Sequence, residues 1–306
     1  MKRQLVLLAC LGLAWSSVRA DGELQLQQVT DNVYAIVGEL GNRSTANLGN
    51  NATFGFVVTA TGVVLIDPGA TLQGARRIDA VIDEVTADPV IAVINTGGQD
   101  HRWLGNDFFR RRGARIIASE AAVADQRKRR QDQFIMLDDL VGKEGLAGTD
   151  AAYADETFAD GLDLTFGDTR FEIRHPGPAH TPGDSFVWLP RQQVIFSGDI
   201  VYVERMAAIG AQSSSRGWLE AFDALAAYRP AYLVPGHGKP TTLERARKDT
   251  REYLAFLRDA VRAFLDDGGD LSDIGSIDQS AYAYLQNYEL LAGRNAHRVF
   301  TEMEWE

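Results

Sequence analysis

Cysteine is almost absent. The 306-residue chain has one, Cys10, and it lies inside the first apolar stretch. A single thiol forms no internal disulfide, so burial of apolar side chains must hold the fold, and cysteine nucleophiles are excluded beyond that stretch. Histidine is scarce, with five residues in all, so a site built from imidazoles has to gather them from distant segments. Positive charge is outnumbered: 31 basic residues face 42 acidic ones, a net charge of −11. Such a surface repels phosphate backbones and argues against nucleic acid as a partner. The local run Lys128-Arg129-Arg130 falls in a helical stretch and reads as a solvated face. There is no G-x-S-x-G elbow and no G-x-G-x-x-G loop, which leaves serine and nicotinamide chemistry without support.

Long apolar runs are also missing. Leu5–Trp15 is well short of the roughly 20 residues a membrane-spanning helix requires. Preceded by Lys2-Arg3 and followed by Val18-Arg19-Ala20, it reads as a signal peptide over residues 1–20, cleaved near Ala20. Leu7-Leu8-Ala9-Cys10 offers a lipoprotein box instead, but the apolar run continues past it. The expected address is the periplasm or the exterior, with no transmembrane segment in the mature chain. No Pro/Ser/Gly-rich linker divides residues 21–306, so they are expected to form one domain.

What is present is a series of short apolar strands, each running into a loop. Asp31–Gly38 is a turn and a strand. Phe54–Thr59 and Val63–Asp67 make a hairpin closed by Asp67-Pro68-Gly69. A helix follows from about Leu72 to Val85, with Ala75, Ile78, Val81, Ile82 and Val85 on one face. Pro89–Ile94 is a buried strand that breaks at Gly97-Gly98 and delivers Asp100 and His101 side by side. Gly113–Ser119 is a strand, and Ser119-Glu120 opens a long charged helix. The stretch from Gln131 to Phe158 shows no clear pattern. Strands then recur at Leu162–Phe166, Arg170–Arg174, Ser185–Leu189, Gln193–Ser197 and Ala231–Val234. Helices are expected at Gly217–Tyr228, Leu243–Asp266 and Asn295–Glu306. Two mixed β-sheets packed face to face with helices outside, an α/β αββα sandwich, bury both sheet faces.

Four loops at strand ends carry donors: INTGGQDHRWLGND with Asp100 and His101, GPAHTPGD with His180, VIFSGD with Asp199, and YLVPGHG with His237. At these residues the chain resembles the metallo-β-lactamase superfamily over nearly all of its mature length. The resemblance implies the αββα sandwich, a metal site along one edge, and Asp199 as the aspartate that bridges two metals in the family. It also exposes a departure: the family's T-H-x-H-x-D-H loop has Gly97 and Gln99 here where two histidines belong. That argues against a two-metal clamp and against β-lactamase activity.

The loop permits two registers. If Asp100-His101 matches the family's D-H pair, then Asp100, His101, His180, Asp199 and His237 are the metal ligands and Arg102 points away from the ion. If Asn95, Thr96, Gly105 and Asn106 are matched without gaps, His101 takes the aspartate position and Arg102 the histidine position, where a permanent positive charge discourages a cation. The first register is preferred. Such N/O donors suit one zinc ion, or iron or manganese, with Asp100 or Asp199 as the catalytic carboxylate. His175 reads as structural and His297 as a surface or packing residue. The expected function is an exported metal-dependent hydrolase of a small ester, thioester or amide-like molecule. The alternative is a non-catalytic protein on the same fold that binds a metal, a ligand or a protein partner.

Overall fold

In the central strands Thr53–Thr59 and Gly62–Ile66 nearly every side chain is buried, which only a sheet covered on both faces allows. A computed structural model describes residues 22–306; the signal peptide expected over residues 1–20 lies outside them. The first sheet has seven strands in chain order: β1 (Gln25–Thr30), β2 (Val33–Val37), β3 (Thr53–Thr59), β4 (Gly62–Ile66), β5 (Val90–Asn95), β6 (Arg115–Ser119) and β7 (Glu156–Phe158). The first four pair antiparallel and the rest join in parallel. Between them run α1 (Leu72–Asp83), α2 (Asn106–Arg110) and α3 (Glu120–Leu146). The second sheet has five strands, β8 (Gly161–Phe166), β9 (Thr169–Arg174), β10 (Phe186–Leu189), β11 (Val194–Phe196) and β12 (Tyr232–Val234), with α4 (Ser215–Ala226) between the last two. The chain ends with α5 (Leu243–Ala246), α6 (Glu252–Asp266) and α7 (Tyr288–Met303).

The alternation of side chains on β3 shows how the layers form. Phe54 and Phe56 face α1 and α2, packing with Ala75, Ile78, Ile82 and Phe109. Val57 faces the other way, into a core shared with Phe171, Val187, Phe196 and Val234 of the second sheet. Gly55 must be glycine for the sheets to meet, since a Cβ there would lie 2.1 Å from the Phe196 ring. On the far side α4, α6 and α7 cover the second sheet with Trp218, Phe222, Leu254, Leu257, Val299 and Phe300. The two mixed sheets flanked by helices are the expected αββα sandwich.

Boundaries depart from the sequence reading where polar residues are used internally. The helix expected over Leu243–Asp266 is interrupted by a π segment at Arg247–Arg251. That extra residue turns Asp249 and Thr250 inward, where they accept from the backbone N–H groups of Glu204 (2.9 Å) and Tyr202 (2.9 Å). The last helix begins at Tyr288, ahead of the expected Asn295, and Asn295 is buried within it, accepting from Ile209 N and donating to Ala207 O. Beyond Gln131, α3 packs Leu137 and Val141 against Trp103 and Leu104, then breaks at Gly142 (φ 75) before a last short turn to Leu146. Strands β1 and β7 carry too few apolar residues to announce themselves. Among the described residues no helix is long and apolar enough to cross a membrane.

Candidate metal centre

The loops after β5, β11 and β12 open on one edge of the sandwich. After Asn95 the chain makes a short 3-10 turn at Asp100–Arg102, fixed at its flanks by mutual amide hydrogen bonds between Asn95 and Asn106 (2.9 and 2.8 Å). After Phe196, Gly198 adopts φ 49 and swings Asp199 inward. A Cβ at Gly198 would sit 2.2 Å from Thr96 Oγ1, so the close approach of these two loops depends on it. After Val234, Gly236 and Gly238 bring His237 beneath Tyr202, whose ring stacks on the imidazole with centroids 4.4 Å apart.

These loops bring His101, Asp199 and His237 together, one donor atom of each within 4.8 Å of the others and all three buried. His101 Nε2 lies 3.3 Å from Asp199 Oδ2, and His237 Nε2 lies 3.3 Å from Asp199 Oδ1. His101 Nε2 has no partner in hydrogen-bond geometry, although it is shut away from solvent. A buried polar atom without a partner costs free energy. Burial, reinforced by Arg102, pushes the His101 pKa down to about 4, and burial together with Arg205 holds His237 well below its ordinary value. Both imidazoles are therefore neutral near pH 7, the form that ligates a metal. His180 lines the same pocket outside the three-donor cluster. Its Nδ1 donates to the Ala208 carbonyl at 2.9 Å, which leaves Nε2 as the lone-pair nitrogen.

Asp100 is not in the cluster. Its carboxylate is gripped by the Arg43 guanidinium and receives Gln99 Nε2 at 2.7 Å. Burial opposes its charge, but Arg43, His101 and the Gln99 amide together outweigh burial and lower its pKa. Arg102, expected to point away from the site, is instead fully buried within it. Its Nη2 donates to Asp199 Oδ1 at 2.7 Å, Nε to Oδ2 at 3.2 Å, and Nη1 to Asp67 Oδ2 at 2.9 Å. The carbonyls of Thr53 (3.0 Å) and Gly236 (2.8 Å) accept its remaining protons. A guanidinium cannot shed its charge, so it is buried only where acceptors surround it, and this edge supplies five such contacts. The geometry follows the gapless register: His101 and Arg102, rather than Asp100, meet Asp199.

The sequence reading passed over Arg43, Asp67, Asp184 and Arg205. Asp67 closes the Arg102 pair and accepts from Thr96 N and Oγ1, both at 2.7 Å; burial raises its pKa to about 6 despite Arg102. Its positive φ of 64 in Asp67-Pro68-Gly69 is a local signal, but one that reads equally as an ordinary turn. Arg43 and Arg205 sit in irregular segments with no motif to mark them. His175 bonds the Asp184 carbonyl at 2.7 Å and serves the loop, and His297 is exposed.

The donors fit a single cation. Each Asp199 oxygen has two acceptor sites; Arg102 takes one on each, and the others face the two Nε2 atoms. At Gly97, one of the two positions of the family's missing histidines, a side chain would crowd its neighbour: a Cβ there would lie 2.5 Å from Asp184 Oδ1. A wider cleft of about 720 Å³ between α1 and the end of α3 holds none of the histidines.

An αββα sandwich with imidazole and carboxylate donors collected at one edge defines a metal-site sandwich protein. The profile of the metallo-beta-lactamase superfamily matches residues 49–237, more than half of the chain, and the protein belongs to that superfamily. It is 21% identical over 252 residues to a linear primary-alkylsulfatase of a Pseudomonas species, covering 68% of this chain and 46% of the alkylsulfatase. It is 24% identical over 186 residues to a type 2 metallo-beta-lactamase of Elizabethkingia meningoseptica, covering 58% and 63%. With its counterpart from Bacteroides fragilis it shares 23% over 258 residues, covering 79% and 91%. The chain thus spans about half of the alkylsulfatase and under two thirds of the first of these lactamases. Among solved structures, a metallo-beta-lactamase from Pontibacter korlensis superposes with TM-score 0.60 at 20% identity, covering 76% of this chain and 99% of that one. A double mutant of a sec-alkyl sulfatase superposes with TM-score 0.68 at 17% identity, covering 91% and 50%. These superpositions establish the fold.

Proposed function

We propose that the protein is a metal-dependent hydrolase with one ion per chain, held by His101, Asp199 and His237, with His180 as the fourth group on the pocket wall. The observation that carries this is the convergence of three buried side chains, His101, Asp199 and His237, each with one donor atom within 4.8 Å of the others. When bound, a zinc ion supplies Lewis-acid polarisation and brings the pKa of water to about 7; iron or manganese suits the same donors. Arg102 holds Asp199 ionised and fixes its plane, so this carboxylate stays available as a ligand. Asp100, through Arg43, positions the His101 ring. The small pocket, about 180 Å³, admits the reacting end of a small molecule rather than a polymer. An ester, thioester or amide-like substrate is the reading the sequence supports, and the alkylsulfatase relative adds sulfate esters. The reading of residues 1–20 as a signal peptide supports an address in the periplasm or outside the cell.

The alternative, a binding protein without turnover, draws support from the guanidiniums of Arg43 and Arg205, each 2.8 Å from the Nδ1 of one cluster histidine. One experiment separates the two. The purified protein is reconstituted with zinc, iron or manganese and assayed on chromogenic esters, thioesters, amides and sulfates beside His237→Ala. Turnover that needs the metal and disappears in the variant is expected. Tight metal binding with no turnover on any class would favour the binding protein.

A further inference from the structure

The pocket beside the cluster is walled by Arg43, Arg205 and Arg294, with Gln99 and Gln212 between them and the three histidines at its base. No aspartate or glutamate is among these wall residues. That is unexpected in a chain of net charge −11, because a random wall of this protein would carry acids. Arg205 is the unusual member. It is 5% exposed, yet among the described residues it has no carboxylate partner within salt-bridge distance, and its Nε has no hydrogen-bond acceptor. The contrast with Arg102 is direct: that guanidinium, equally buried, has two carboxylates and two carbonyls.

Arg205 has one polar contact, Nη1 to His237 Nδ1 at 2.8 Å. The same Nδ1 lies 2.8 Å from the Asn51 carbonyl. An imidazole nitrogen cannot donate to Asn51 and accept from Arg205 at once. In the tautomer that donates to Asn51, Arg205 keeps no acceptor at all. A guanidinium only 5% exposed and without an acceptor is one that a bound anion would satisfy.

The backbone here is not adjustable. Arg205 bridges to Gln286, with Met206 N donating to Gln286 O at 3.0 Å and Gln286 N to Glu204 O at 2.9 Å. Helix α7, which contributes Arg294, lies outside the span matched by the superfamily profile. Arg205 itself lies within that span.

We propose that this pocket binds an oxyanion, a sulfate- or carboxylate-type group of the substrate, with Arg205 as the anchoring residue and Arg294 beside it, while Arg43 lines the wall already paired with Asp100. The proposal deepens the hydrolase reading by naming the substrate's charge, and it places the anionic group beside the cluster. Charge-assisted hydrogen bonds from a desolvated guanidinium are among the stronger recognition contacts.

The test is calorimetric titration of inorganic sulfate into the purified protein at low ionic strength, with chelator present so that no metal takes part. Saturable binding is expected, weakened by roughly tenfold or more in Arg205→Gln, by less in Arg205→Lys and Arg294→Gln, and unchanged in the exposed, distant Arg216→Gln. If Arg205→Gln does not fold, Arg205→Lys and Arg294→Gln carry the comparison. No saturable binding by the wild type, or binding equally tight in the Arg205 and Arg294 variants, overturns the proposal. Because metal is absent, failure here leaves the metal site untouched, and failure of the metal site leaves this result standing.

Discussion

Arg102 and Asp199 face one another in a two-pronged pair, Nη2 to Oδ1 at 2.7 Å and Nε to Oδ2 at 3.2 Å, with both side chains shut off from solvent. The third guanidinium nitrogen holds Asp67 at 2.9 Å. One arginine thus fixes the orientation of the carboxylate that the two cluster histidines share.

Removing that arginine leaves two buried carboxylates against each other. Arg102→Met is expected to lower stability by about 3–5 kcal/mol, the usual result of breaking a buried pair from one side. Urea denaturation of the metal-free protein measures it. A loss no larger than that of a surface arginine variant such as Arg191→Met would show that the pair is incidental.

Restoring the two family histidines should not restore a second metal. Gly97 has no space for a side chain beside Asp184, whose carboxylate is held by Thr181 N at 2.8 Å. The double variant Gly97→His, Gln99→His is expected to be less stable by about 1–3 kcal/mol and to hold no additional ion. Metal content and denaturation midpoint of the same preparation check both halves. A stable variant with two tightly bound ions would mean the loop adjusts freely.

Asp184 predicts a pH dependence. Burial, with a contribution from the Asp199 charge, pushes it up to about 8 from an ordinary 3.8. Between those values the folded protein keeps a proton that the unfolded chain has released, so this residue makes stability fall as pH rises from about 4 to about 8. His101, down at about 4 from 6.5, works in the opposite sense over its own range, which is why a paired comparison is needed. Asp184→Asn cannot ionise and should lose less stability than wild type across this window. Parallel denaturation curves at every pH would remove Asp184 from the explanation.

The sandwich was legible because each buried strand carries an apolar run and each ends in glycine or proline. Asp199 and His237 stood out for the same reason: they follow such runs in loops too short to place them anywhere but the sheet edge. The first loop was less readable. Asp100-His101 looked like a ligand pair because sequence records adjacency, while in the 3-10 turn both side chains meet Arg43 and only His101 also reaches Asp199. What decides between registers is Arg43, 57 residues from Asp100, and no local pattern announces a pair so far apart. Arg205 was hidden in a different way. Its distinguishing property is the absence of a partner, and only the folded chain shows that.

Metal stoichiometry of the purified wild-type protein and of its ligand variants tests the site most directly. Elemental analysis after zinc loading and gel filtration should give one ion per chain. Affinity should fall by roughly 10-fold or more in Asp199→Ala and in His237→Ala, and by less in Asp100→Ala, whose carboxylate belongs to Arg43. Two tightly held ions, or one ion retained unchanged without Asp199 and without His237, would contradict the mononuclear centre proposed above.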